Sequence, residues 1–260
     1  MNLRYITCSD IREQNIIQDA LDLLNLSPKV ELGIQAHNPS MNFGAPRFEW
    51  LTELLKVSFL REQPLNIAVH VNYDWCSQMA DGGANTDIWP AEIKYLFDCR
   101  DRNGDPLIRR WQLNIGDYTH GIDGSKLAEL CRAFPNREFI FPYNAKNSVT
   151  PEIQRMHKFN DCNFSLLYDA SYGAGILPES WNAPVYKKRP MGYAGGLSPE
   201  NVADNLNKIA AVCPQNYTTW IDAEGNLKTP GTVIFNNYRA MRYILAALEW
   251  ERNQSRTSSK

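Results

Sequence analysis

The sequence predicts an α/β fold of the TIM or (β/α)8-barrel class, a single domain over 1–250, and three observations carry that reading. Short runs rich in β-branched and aromatic residues recur eight times along the chain. Segments of helical period separate most of them, the pattern of a parallel sheet with crossover helices. Eight such units in about 250 residues fit a closed barrel, and no GxGxxG string follows any strand, which argues against an open dinucleotide-binding sheet.

Taken in order, the first strand is expected over Arg4 to Cys8, with a helix over Ile11 to Leu26. Val30 to Gln35 and Asn66 to Val71 read as the second and third strands, with a helix over Arg47 to Leu60 between them. The third strand is followed by an unusually long stretch, Asn72 to Ile108, in which only Ala91 to Asp98 has a clear helical period. Its remainder contains WCSQMADGGANTDIWP, so the third βα loop is enlarged, and Trp75, Asp81 and Trp89 are expected to cover the barrel mouth. Arg110 to Ile115 and Glu138 to Tyr143 are the next strands, followed by helices over Gly124 to Ala133 and Thr150 to Phe159. Phe164 to Ala170 is the sixth strand. The YGAGILPESWNAPVYKK segment after it holds two Gly and two Pro, which predicts a reduced sixth helix. Arg189 to Ala194 and Thr218 to Ala223 complete the strands. The helix over Ser198 to Val212 opens on Ser-Pro-Glu, which supplies an N-cap, a proline at the first helical position and an acid in the first turn. A last helix is expected over Gly231 to Trp250, and the polar residues 251–260 read as a frayed tail.

Composition excludes several functions. Lys and Arg number 27 against 29 Asp and Glu, a formal charge of −2, so no general basic field exists for nucleic acid. No run of 18 apolar residues and no signal-peptide core is present, so neither a membrane nor a secretory route is expected and the protein is placed in the cytoplasm. Six scattered cysteines without a CxxC pair read as reduced thiols. No HxH or metal-finger spacing occurs, so no metal site is expected. The expected partner is a small molecule, with the protein a monomer or homodimer.

In such a barrel the chemistry lies where strands end at their C-termini. The polar residues there are Cys8, His37, Asn72, Gln112, Asn114, Asp169 and Asp222. After the seventh strand comes Ala194-Gly195-Gly196-Leu197-Ser198-Pro199-Glu200-Asn201-Val202, two glycines leading into a helix, which is an anion-binding pattern.

That string resembles the GGL-x-PENV string of the phosphoribosylanthranilate isomerase family of tryptophan biosynthesis, where it serves the substrate phosphate. The resemblance runs backwards in order. Leu166-Leu167-Tyr168-Asp169 with Gly173, Gly175 and Trp181 is similar to that family's LLLD segment. Gln112-Leu113-Asn114 with Gly116-Asp117 is similar to its QLHGDE, Val69-His70-Val71-Asn72 to its V-F-V-N strand, and Ile6-Thr7-Cys8-Ser9 to its KICG. The resemblance implies an Amadori-type rearrangement of an N-linked aldose phosphate with no cofactor. Asp169 would be the acid and Cys8 the base. Gly195, Gly196 and Gly225 would hold phosphate, and Arg47, Asn72, Gln112, Asn114 and Asp222 would hold the rest of the substrate. Two features depart from the family. Its eighth strand ends in a D-x-S-S-G turn, whereas Asp222-Ala223-Glu224-Gly225 puts a carboxylate there; with the long third loop this leaves two alternatives, a divergent barrel acting on an unphosphorylated small molecule and a catalytically silent ligand-binding scaffold. Arg47 is the only permanently charged cation available to the second βα loop, and it also stands where the second helix would begin.

Overall fold

Eight parallel strands follow one another in chain order around a closed barrel. In the computed structural model, which describes residues 1–115, 123–143, 162–169, 171 and 173–257, they are β1 (Asn2–Ser9), β2 (Val30–Ala36), β3 (Ile67–Val71), β4 (Arg110–Leu113), β5 (Glu138–Tyr143), β6 (Phe164–Asp169), β7 (Met191–Ala194) and β8 (Thr218–Ala223). The helices are α1 (Ile17–Leu24), α2 (Pro46–Leu60), α3 (Tyr73–Gly82), α4 (Ala91–Asp98), α5 (Gly124–Ala133), α6 (Val202–Val212) and α7 (Asn237–Thr257). The expected bounds of β5, β8, α4 and α5 match residue for residue. The expected helix over 150–159, together with Gly116, Asp117, His120 and Ala170, lies outside the described residues.

Packing groups the chain into two units, 1–32 with 167–260, and 33–166. In the first, β1 pairs with β8 and β8 with β7, and α7 packs on α6 and β1. In the second, β3 pairs with β4 and β4 with β5, and α3 packs on α5. Strand side chains alternate between an inner face and an outer face that meets the helices. In β2 the outer set is Val30, Leu32, Ile34 and Ala36, all fully buried, while Glu31, Gly33 and Gln35 take the inner face.

Where helix bounds differ from expectation, local backbone is the reason. The expected α1 over 11–26 shrinks because Asp10 is left-handed (φ 69°) and Arg12 O closes a separate turn on the Asn15 amide. The last helix cannot begin at Gly231, whose φ is +75°; the chain first bridges Lys228 to Phe235. Ser198 does accept from the Glu200 amide (3.2 Å), but a turn intervenes and Asn201 is the N-cap of α6.

The enlarged third loop is not a lid. It folds as α3, a 3-10 turn at Thr86–Ile88 and α4. Trp75 and Trp89 are buried, and the Trp89 ring lies edge-on to Phe97 (5.0 Å, 89°) and near Phe134 (5.9 Å), so the insertion thickens the helix layer. Asp81 is exposed. Among the described residues of 171–190 no helix forms, as expected. Trp181 fills that place, edge-on to Tyr193 (5.7 Å) and Tyr168 (6.1 Å), with its indole N–H on Asn205 Oδ1 (3.0 Å).

α7 continues through Thr257, past Trp250 where the last helix was expected to end, and 258–260 lie outside the described residues. Glu251 is why the extension holds, since it accepts from the Leu3 amide at the start of β1 (3.2 Å) and pairs with Lys29. Glu251→Ala should therefore lower stability by about 1 kcal/mol, the worth of one partly exposed charge-assisted contact, seen as a lower urea midpoint; an unchanged midpoint would mean the tail is unattached. Among the described residues no helix is long and apolar enough to cross a membrane.

Candidate functional site

The register of β1 on β8 sets Thr7 beside Asp222 and Cys8 beside Ala223. Thr7 Oγ1 donates to Glu31 Oε1 (2.8 Å) and Ser9 Oγ donates to Asp222 Oδ1 (2.6 Å), so Thr7, Ser9 and Asp222 share the inner face. Alternation then sends Cys8 to the outer face, under α7, where it is wholly buried and within electrostatic reach of Tyr243. Burial pushes the Cys8 thiol well above its ordinary value and the Asp222 charge adds to that, the opposite of what a thiolate base needs. Cys8, read from the sequence as the base, has the expected position along the strand and takes the outer face, one residue from the inner-facing Ser9.

Asp222, on the inner face, is a carboxyl displaced far from its ordinary range. Burial, reinforced by the carboxylates of Glu224, Glu31 and Asp169, pushes it from 3.8 up to about 7, while the donated Ser9 hydrogen bond pulls it partly back. A carboxyl that titrates near neutrality can give a proton and retake it in one turnover.

Asp169 ends β6 but anchors the loop that follows. Its Oδ1 accepts from the Ser171 amide (2.9 Å) and hydroxyl (2.7 Å), and its Oδ2 from the Gly173 amide (2.7 Å). That loop packs against the glycines after β7. A Cβ on Gly196 would lie 2.4 Å from the Leu177 amide nitrogen, and one on Gly195 would lie 3.0 Å from Asp169 Oδ1. Both glycines have positive φ, Gly195 at +107° and Gly196 at +69°. The chain's own packing therefore accounts for these two glycines. The Gly196 carbonyl accepts from the side chains of Asn201 (3.0 Å) and Asn226 (2.9 Å), and the Ser198 amide donates to Asn201 Oδ1 (2.9 Å). Gly225 has open space around it. Glu224 pairs with Lys228 (3.1 Å), which also holds Asp10 (2.8 Å), so the carboxylate flagged in the sequence has a cation beside it.

In the second unit three expected substrate-binding residues come together. Gln112 Nε2 donates to Asn114 Oδ1 (2.9 Å), Asn114 Nδ2 to Asn72 Oδ1 (2.8 Å), and Asn72 Nδ2 to Gln35 Oε1 (2.7 Å) and the His70 carbonyl (2.9 Å). Below them His70 is held neutral, pushed down to about 3 by burial and by Arg110. Arg110 pairs with Glu138 (3.4 Å), which accepts from Ser165 (2.6 Å). Arg47 is buried in the first turn of α2 rather than presented by the loop.

Sequence reasoning missed Ser9, Lys228 and Gln35. The first and last were open to an alternation argument: Gln35 shares a face with Glu31, and Ser9 with Thr7. Lys228 carried no signal, because only the chain's return to β1 brings it to Asp10. Among the described residues no group of three His, Cys, Asp or Glu is arranged to hold a metal.

No family model matches the sequence, and no curated protein does either; the isomerase resemblance thus has the barrel itself behind it and no family match. In fold the chain is similar to 3-hexulose-6-phosphate synthase from Salmonella typhimurium, with a TM-score of 0.53 and 12% identity over 96% of this chain and 100% of that one, an identity at which the barrel is what the two share.

Proposed function

We propose that the protein is an isomerase of the Amadori type, converting an N-linked aldose, in the first instance a sugar phosphate, to the corresponding 1-amino-1-deoxyketose, with Asp222 as the proton shuttle. The observation that carries the reading is the Asp222 carboxyl, inner-facing at the end of β8, bonded to Ser9 and titrating at about 7. Its protonated form gives the proton to the ring oxygen, the C1–O bond breaks, and the nitrogen lone pair forms the C1 iminium. The carboxylate so produced removes the C2 proton, and the electrons of that bond neutralise the iminium nitrogen to leave the enolamine. In the enolamine the C2 hydroxyl then gives up its proton, the C2=O bond forms, and the electrons of the C1=C2 double bond take a proton at C1, which leaves the ketose. Asp169 is the second carboxyl in this reading and holds the 171–175 loop in place. The shared fold with an enzyme named for a hexulose phosphate accords with a sugar phosphate as substrate.

A second reading, an unphosphorylated substrate, is favoured by two contacts. The Leu177 backbone fills the space at Gly196, and Lys228 is already paired with both Asp10 and Glu224. Loss of anthranilate fluorescence on conversion of phosphoribosylanthranilate tests the first reading. Wild type should turn over with an optimum near pH 7, where both forms of Asp222 are populated. Asp222→Asn should lose about 10²-fold or more in kcat. Cys8→Ala, on the outer face, should stay within about 3-fold. Silence of the wild type, or a fully active Asp222→Asn, would overturn the assignment; turnover of the dephosphorylated compound alone would select the second reading.

A further inference from the structure

A cleft of about 380 Å³ lies in the helix layer of the second unit, between α2 and the end of α4. That volume suits a small ligand. Leu55, Phe59 and Leu60 from α2, Tyr95 from α4 and Leu107 beyond it supply apolar walls. Phe59 is 40% exposed, Tyr95 50% and Leu60 66%, so the described residues leave this apolar surface open. The two uncharged polar groups of α2 and the α4 cap that line it have spent their protons. Thr52 Oγ1 donates to the Glu49 carbonyl (2.8 Å) and Cys99 Sγ to the Tyr95 carbonyl (3.4 Å).

The charged members of the lining are Lys56 and Arg100, and no carboxylate belongs to it. Arg102 adds a third cation at the same rim, its guanidinium 5.6 Å from the centre of the Phe59 ring. Arg100 is held in place by the Phe97 carbonyl, to which it donates (2.7 Å). The carboxylates nearby are accounted for. Glu53 pairs with Lys56 along α2, and Asp98 lies 3.8 Å from Arg100. Asp101 is committed to the amides of Asn103 (2.8 Å) and Asp105 (2.9 Å), and Asp105 to Arg109 (3.7 Å). Lys56 and Glu53 are both more than half exposed, so their pair is weak and an incoming anion exchanges with it at little cost.

We propose that this cleft binds a medium-chain alkyl carboxylate, with the alkyl chain among Leu55, Phe59, Leu60 and Leu107 and the carboxylate between Lys56 and Arg100, where it replaces Glu53 on the ammonium. The site lies wholly within the second unit and is independent of the isomerase reading. Isothermal titration of the full chain with decanoate, below its micelle-forming concentration, should show saturable binding of one equivalent. Octanoate should bind about 10-fold weaker, since each buried methylene is worth about 4-fold. Decyltrimethylammonium has the same chain and the opposite charge, and should bind at least about 5-fold weaker than decanoate. Lys56→Glu should weaken decanoate by about 5-fold, and Glu53→Gln, which removes the internal competitor, should tighten it by about 2-fold. Both positions are exposed, and circular dichroism checks that both variants fold. Cys99 reports the place of binding: its alkylation by N-ethylmaleimide, read by peptide mass mapping, should be suppressed by saturating decanoate, while that of Cys213 in the first unit is unchanged. Equal binding of the cationic and anionic chains, no dependence on chain length, no saturable decanoate binding, or undiminished Cys99 alkylation would each overturn the proposal. A dimer that Leu60→Asp splits, with decanoate failing to bind, would assign the cleft to a second copy of the chain instead.

Discussion

Asp222→Asn should melt higher than the wild type at pH 8 and lose that advantage at pH 4. The folded state raises this carboxyl from 3.8 to about 7, so the folded protein binds its proton more tightly than the unfolded chain does. The contribution of that proton to stability is complete below pH 4 and is lost as the pH climbs through 7. Above that range the folded protein carries a buried carboxylate whose cost, from a shift of this size, is on the order of 4 kcal/mol before relaxation. Asparagine keeps the oxygen that accepts from Ser9 and cannot ionise. The variant should therefore gain about 2–4 kcal/mol at pH 8, or roughly 5–10 °C for a chain of this length. Calorimetry at pH 4, 6 and 8 gives the answer: a gain that does not grow with pH would mean that Asp222 ionises without strain, and the proton-shuttle role would fall with it. Activity and stability should move in opposite directions, as expected where a site holds a group in a state that the fold disfavours.

Gly192→Ala should be the most damaging single methyl in the barrel, and Gly225→Ala among the mildest. Gly192 of β7 lies in register with Trp220 of β8, and a Cβ there would be 2.1 Å from Cε2 and 2.5 Å from Cδ2 of the indole. Trp220 is 1% exposed and has nowhere to retreat. Overpacking of a closed interior costs about 1–3 kcal/mol and more where nothing can shift, so a loss of at least about 3 kcal/mol in urea unfolding is expected. Gly225 has nothing within 4 Å and no left-handed requirement, so its alanine variant should stay within about 0.5 kcal/mol. Comparable losses for both would show that the inner face is looser than the indole contact implies.

Legibility followed the range of the forces involved. Strands such as Glu138–Tyr143 and Thr218–Ala223 could be placed to the residue because β-branched and aromatic runs are local signals. Gly231 and Asp10 misled the helix bounds, since a backbone reversal at one residue overrides a favourable helical period on both sides. Trp75 and Trp89 looked like a cover for the mouth because an isolated Trp in a Gly-rich stretch gives no hint of its partner; Phe97 and Phe134 supplied it. Asn72, Gln112 and Asn114 were found from their places at strand ends and do meet, because parallel strands in a barrel bring such ends to one level.

By itself, then, the sequence determined the eight-unit barrel and the strand ends where polar groups collect, because hydrophobic period and turn chemistry act within a few residues. Only the tertiary structure decided which of those groups face inward, which carboxyl is driven toward neutrality and which glycines are filled by the chain itself. Cys8 and Ser9 differ by one position, yet the pairing of β1 with β8, more than 200 residues apart in sequence, sets one under a helix and the other on Asp222. Burial and the summed field of distant carboxylates are properties of the assembled barrel, and no local stretch of sequence contains them.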